Sequence, residues 1–168
     1  MATRTSALQH ELHQRRPFQS VAHEAVVALM RTADLVRRQM TALVAPHGIT
    51  LQQYNVLRIL RGAGDAGLPT LEIASRMIEK SPGITRLLDR LQARRLVRRV
   101  RCPHDRRQVL CRATAEAGRL LAGLDAPMVA AAERALAPLD ATDTLKMIEL
   151  LDAIRAERNR RASQGEEH

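Results

Sequence analysis

The chain has 168 residues, a net charge of +9, two cysteines, and Phe18 and Tyr54 as its whole aromatic set. Its length fits one domain, or one compact domain with helical arms; the lack of any run of 18 apolar residues excludes a membrane helix, and two cysteines do not make a secreted disulfide framework. A core built from Leu, Val, Ile, Ala and Met suits packed helices better than a sandwich of sheets, and the polar stretch 1–16, without an apolar signal core, predicts a cytoplasmic protein.

Residues 1–17 read as a tail with at most a short helix around Leu8 to His13, closed by Pro17. A long helix is predicted from about Ser20 to Ala45. Ala22, Val26, Leu29, Ala33, Val36, Met40 and Leu43 recur at alternating steps of four and three, a coiled-coil-like seam. That pattern fits both a core helix and a dimer helix, and the length favours use in an interface. Pro46 and Gly48 end it.

Thr50 and Gln53 form a capping box for the next helix, with Ile49 and Tyr54 placed as a hydrophobic staple. Val56, Leu57 and Leu60 continue its apolar face, and Gly62, Gly64 and Gly67 break the chain. A short helix from Thr70 to Met77 is expected to bury Leu71, Ile73, Ala74 and Met77. After the turn Ile78-Glu79-Lys80, Ser81 as N-cap and Pro82 at N1 open a second helix reaching about Arg95. Its apolar stripe is Ile84, Leu87, Leu88 and Leu91. Its opposite face shows Ser81, Thr85, Arg86, Asp89 and Arg90.

The period then shortens. Leu96–Arg101 and Val109–Ala113 alternate Val and Leu with Arg around a basic segment, 102–108, which predicts a β-hairpin with a long tip. Thr114 caps a further helix in which Pro127 is expected to cause a kink or a break. Asp140 caps the last helix, with a stripe of Leu145, Ile148, Leu151 and Ile154. The charged tail after Glu157 is expected to fray.

The charge is concentrated. Residues 76–112 carry twelve basic and three acidic side chains, a surplus equal to the net charge of the entire chain. A neutral body with one basic segment is the footprint of a protein that touches phosphates. That segment holds a helix, a turn, a second helix and a basic hairpin, the order of a winged helix-turn-helix. The second helix is buried on one side. It offers Thr85 for a thymine methyl and Arg86 or Arg90 for guanine O6 and N7 on the other. Arg98 and Arg99 on the hairpin stem are expected to touch phosphate at most.

Three segments carry a family resemblance: Gly48-Ile49-Thr50-Leu51-Gln52-Gln53-Tyr54, Leu68-Pro69-Thr70-Leu71-Glu72-Ile73-Ala74 and Thr85-Arg86-Leu87-Leu88-Asp89-Arg90-Leu91. Asp105-Arg106-Arg107 and the turn Thr114 to Gly118 complete it. Together they resemble the MarR family of transcriptional regulators over about residues 18–157. The resemblance implies a mostly α fold: a winged helix-turn-helix with a small β-hairpin wing and N- and C-terminal dimerisation helices. In that organisation 1–17 is a tail, 18–47 with 115–157 dimerise, 48–114 bind DNA and 158–168 form a charged tail.

It also implies a homodimer that places a recognition helix in the major groove and a wing in the minor groove. Asp105 would brace the wing, and Arg107 would enter a narrow A·T-rich minor groove. Many members are repressors released by a small aromatic or anionic effector held between the dimer arm and the winged domain, where His47 and Tyr54 are the nearest polar tips. Two departures stand out. Arg95 occupies a position where the family has Gly ending the recognition helix. The cysteine of peroxide-sensing members is missing from the start of the long helix, while Cys102 and Cys111 flank the wing; closeness across the hairpin would allow a redox switch, and two inert thiols are the preferred reading.

Nothing indicates an enzyme. The six histidines are scattered without metal-ligand spacing, and neither a phosphate-binding Gly loop nor a nucleophile elbow is present. No metal or cofactor is expected. The reading is a sequence-specific, ligand-responsive repressor of a palindromic double-stranded operator. The alternative is a non-specific, architectural nucleic-acid binder, which would show uniform affinity across sequences.

Overall fold

A computed structural model describes residues 6–80, 82–102 and 108–165. The expected N-cap Ser81 and the wing-tip residues Asp105, Arg106 and Arg107 lie outside the described residues. In chain order the elements are α1 (Ala7–Glu11), α2 (Val21–Val44), α3 (Leu51–Ala63), β1 (Leu68–Pro69), α4 (Thr70–Arg76), α5 (Ile84–Ala93), β2 (Val97–Arg101), β3 (Val109–Ala113), α6 (Ala115–Leu136) and α7 (Ala141–Gly165). Among the described residues no helix is long and apolar enough to cross a membrane. The chain forms two compact units, Met1–Met128 and Val129–His168.

The caps fall where local chemistry puts them. Ser20 accepts from the amide of His23, opening α2. Thr50 and Gln53 exchange both bonds of the capping box at the start of α3,. Between these helices a 3-10 turn, Ala45–His47, ends at Gly48 with φ +67°, a left-handed conformation natural to Gly,.

The core of the first unit is layered around α3. Val56, Leu57 and Leu60 are fully buried, as are Ile73 of α4, Leu88 and Leu91 of α5, Cys111 of β3 and Leu121 of α6. The sheet is antiparallel in the order β1-β3-β2, with Val97 opposite Ala113 and Arg101 opposite Val109. The third strand is absent from the sequence reading. Leu68 and Pro69 pair with Cys111 and Leu110 across a gap of more than 40 residues. Two residues are too short a run to show a period of their own.

Several expectations are corrected. Leu71 is 83% exposed. Ile73 marks the buried side of α4, with Met77 buried at its C-cap, and Leu71 sits about 200° around the helix from Ile73,. The second helix of the motif begins at Ile84 with Gly83 as N-cap, so Pro82 belongs to the preceding turn and is not at N1. Pro127 does not split α6. Gly123, whose carbonyl loses its amide partner to Pro127, is exposed along with Pro127, so water can satisfy that carbonyl,. The last helix continues to Gly165 where fraying was expected.

In the second unit, Asp140 Oδ1 accepts from the amide of Asp143 at 2.8 Å and caps α7. Leu145, Ile148, Leu150 and Ile154 of this helix are exposed in the single chain.

Candidate nucleic-acid interface

Helix α5 is divided lengthwise. Ile84, Leu87, Leu88 and Leu91 are buried, which fixes the helix to α3 and α4. The same periodicity forces Thr85, Arg86, Asp89 and Arg90 outward, and all four are exposed. The outward set can donate and accept hydrogen bonds without disturbing the core.

The end of α5 is held by two arginines. Arg94 donates through Nη1 to the carbonyl of Gly48 and through Nη2 to that of His47, the latter at 2.9 Å. A cation on the carbonyls that close α2 and its 3-10 turn meets the negative end of those dipoles. A Cβ on Gly48 would stand 3.4 Å from both terminal nitrogens of Arg94. Arg95 adopts φ +58°, so the turn keeps a left-handed conformation despite the departure from Gly,.

The hairpin stem presents its arginines unequally. Arg98 is exposed on one face of β2, while Arg99 shares the other face with Val97 and donates to Asp89 of α5 at 2.7 Å. The Asp89 carboxylate, hydrogen-bonded to Arg99, raises the pKa of its guanidinium above the ordinary value. Cys111 is opposite Arg99, whereas Cys102 bonds through its amide to Gln108. Three residues of strand, ~10 Å, separate the two positions, too far for a disulfide without backbone movement. The closeness that a redox switch would need is thus absent from the hairpin, in keeping with two inert thiols.

A cavity of about 250 Å³ opens between the end of α2, the start of α3 and the α4–α5 turn. Leu51, Met77 and Ile78 supply apolar surface, and Thr41, Thr50 and Asn55 supply polar tips. Neither His47 nor Tyr54 lines it. Tyr54 is 5% exposed, and its hydroxyl accepts from Arg58 at 3.1 Å. It is thus turned into the core as a staple residue. His47 contributes its backbone carbonyl to Arg94. Sequence reasoning missed Asn55, whose Oδ1 accepts from the amide of Ile78 at 3.0 Å. A polar side chain at i+1 of the buried Tyr54 carries no signal of a partner 23 residues away.

A crystal structure of a MarR transcription factor from Planctomyces limnophilus is similar to this chain at 37% identity and a TM-score of 0.61, covering 81% of this chain and 98% of the other. This chain belongs to the MarR family. A sequence model of the MarR family matches residues 47–108, the helix-turn-helix and the hairpin up to its tip. The HTH-type transcriptional regulator TtmR of Methylorubrum extorquens is 38% identical over 91 residues, 54% of this chain and 46% of that protein. This MarR family chain thus aligns with less than half the length of that curated relative. CouR from Rhodococcus jostii, solved bound to p-coumaroyl-CoA, is 28% identical with a TM-score of 0.69 over 82% of this chain and 95% of CouR. The family consists of transcription regulators, not enzymes.

Proposed function

We propose that this chain is a homodimeric repressor that binds a pseudo-palindromic operator in double-stranded DNA and is released by a small effector. One observation carries the DNA reading. The exposed face of α5 bears Thr85, Arg86 and Arg90 on a helix whose other face is core. Such a helix can enter the major groove while its buried stripe resists tilting. Residues 48–114 form the DNA-binding part, with Arg98 on phosphate and with Pro82, next to the undescribed Ser81, near the entry to α5. Asp105, Arg106 and Arg107 are assigned to the wing by family resemblance, with Asp105 bracing it and Arg107 entering the minor groove.

Dimerisation is assigned to residues 18–47 and 115–157. Val26, Leu29 and Met30 of α2, and Ile148 and Ile154 of α7, are exposed in the single chain. Apolar surface of this extent on two helices favours a second copy as its cover. The effector site is assigned to the cavity at Thr41, Leu51, Asn55 and Met77, slightly below the ~300–1,000 Å³ usual for small-molecule sites,. The bound ligand of the related CouR supports an acyl or aryl compound as the effector class.

Selection of the full chain on a randomised duplex library tests the reading. The expected product is an inverted repeat with half-site centres ~10 bp apart. Uniform recovery of all sequences would replace it with the architectural binder.

A further inference from the structure

Arg99 occupies a strand position where alternation calls for an apolar side chain. Val97, two residues back on the same face, is 2% exposed, and the cross-strand partner Cys111 is fully buried. Directly opposed residues of an antiparallel pair share a face, so the Arg99 stem runs along the packed side of the sheet, against which α5 lies,. A guanidinium there needs acceptors. Nη1 finds two on α5: Asp89 Oδ1 at 2.7 Å and Gln92 Oε1 at 2.9 Å. Asp89 and Gln92 are three residues apart on a helix and therefore neighbours on its surface.

Asp89 poses a complementary problem. It is the acid on an exposed face otherwise made of Thr85, Arg86 and Arg90. A bare carboxylate beside a polyanion opposes binding. Joined to Arg99, it forms a neutral pair. We propose that Arg99 is a positioning residue and not a phosphate contact: with Asp89 and Gln92 it clasps the β2–β3 hairpin to α5 and fixes the angle between wing and recognition helix. The inference rests on the DNA-binding reading above and separates Arg99 from Arg98, with which the sequence grouped it. Arg98 points to the other face and meets solvent.

The clasp and a bulk-charge role make opposite predictions for Asp89→Ala. Deleting an acid from the DNA-facing side should tighten binding by several fold if only charge matters. If the clasp matters, the variant should lose several fold in affinity for the selected operator and relax its preference at the wing-contacted positions. Arg99→Lys is the second arm. It keeps the charge, but its Nζ lies one bond nearer the backbone than the Nη1 that meets both acceptors, so it falls short of Asp89 and Gln92 and should resemble Asp89→Ala, whereas a phosphate contact would tolerate it,. Asp89→Ala/Arg99→Ala should be no worse than either single variant.

Hydrogen exchange on the free proteins supplies a readout without DNA. Exchange at Val97–Arg101 should rise in both single variants while α3 stays protected. Tighter or unchanged operator binding by Asp89→Ala, or unchanged hairpin exchange, overturns the clasp. A wild-type chain that selects no site overturns the DNA reading instead, and the exchange data then decide the clasp by themselves.

Discussion

The hydroxyl of Thr114 donates to the carbonyl of Arg95 at 2.8 Å and accepts from the amide of Ala117 at 3.2 Å. One side chain thus closes the left-handed turn after α5 and opens α6. Arg95 tolerates φ +58° partly because its carbonyl is held in this way. Replacing Arg95 with Gly removes a Cβ penalty of ~1–2 kcal/mol and adds an unfolded-state entropy cost of ~0.5–1 kcal/mol. The expected net is a gain of up to about 1.5 kcal/mol, read as a higher urea midpoint. Thr114→Ala should lose ~1 kcal/mol through the cap. A lower midpoint for Arg95→Gly would mean that the arginine side chain stabilises the turn by more than its backbone strain costs.

Arg94 joins the end of α5 to the turn after α2 through the carbonyls of Gly48 and His47. Arg94→Ala removes both bonds. Because the site is exposed, the expected cost is only ~1 kcal/mol. Gly48→Ala should cost ~1 kcal/mol or more from the left-handed φ alone,. Denaturant midpoints check both, and a Gly48→Ala protein as stable as the parent would contradict the described turn.

The exposed arginines of the interface should divide by role. Arg86→Ala or Arg90→Ala should cost ~1–3 kcal/mol at the selected operator and relax the preference at one base pair per half-site. Arg98→Ala should weaken all sequences about equally and reduce the slope of log affinity against log salt by ~1. Binding of each variant to the randomised library at two salt concentrations reads both quantities. Identical sequence profiles for all three would leave only bulk charge.

Ion pairing between Arg61 and Asp125 joins α3 to α6, with both carboxylate oxygens accepting at 2.8 and 2.9 Å. The hydrogen-bonded Arg61 guanidinium holds the Asp125 carboxyl below its ordinary value of 3.8. A carboxyl with a depressed folded-state pKa contributes stability above its unfolded pKa and loses it as pH falls through the folded one. The stability difference between the parent and Asp125→Asn should therefore be constant near neutrality and shrink only below about pH 4. Urea titrations from about pH 6 to about pH 2.5 would show it, and a difference independent of pH would assign the effect to packing.

Assembly gives the last expectation. Leu29 of α2 and Ile148 of α7 are exposed in the single chain at 44% and 46%. Leu29→Asp or Ile148→Asp should lower thermal stability and dissociate the dimer, with loss of folded protein because obligate dimers often lack a stable monomer. Sedimentation of the parent chain at micromolar concentration should give a dimer, and a folded monomer there would remove the assembly from the proposal.

Local chemistry made much of this molecule legible in its sequence. The capping box at Thr50 and Gln53, the split faces of α5 and the period change into β2 and β3 depend on neighbours within a few residues, so pattern alone specifies them. The resemblance marked Arg95 as standing where Gly is usual, but a strained arginine and a different turn both stayed open until the fold set φ at +58°. What needed the tertiary structure were interactions between distant segments. The pairing of Leu68 with Cys111, the amide of Ile78 on Asn55 and the grip of Arg94 on Gly48 join residues 23 to 46 apart. The sharpest case is Arg99. Sequence spacing placed it beside Arg98 in one basic run, but the two-residue period of β2 turned it inward onto Asp89,. Whether an arginine is free to meet a phosphate is decided by what the fold sets opposite it, and no count of charges along the chain contains that information.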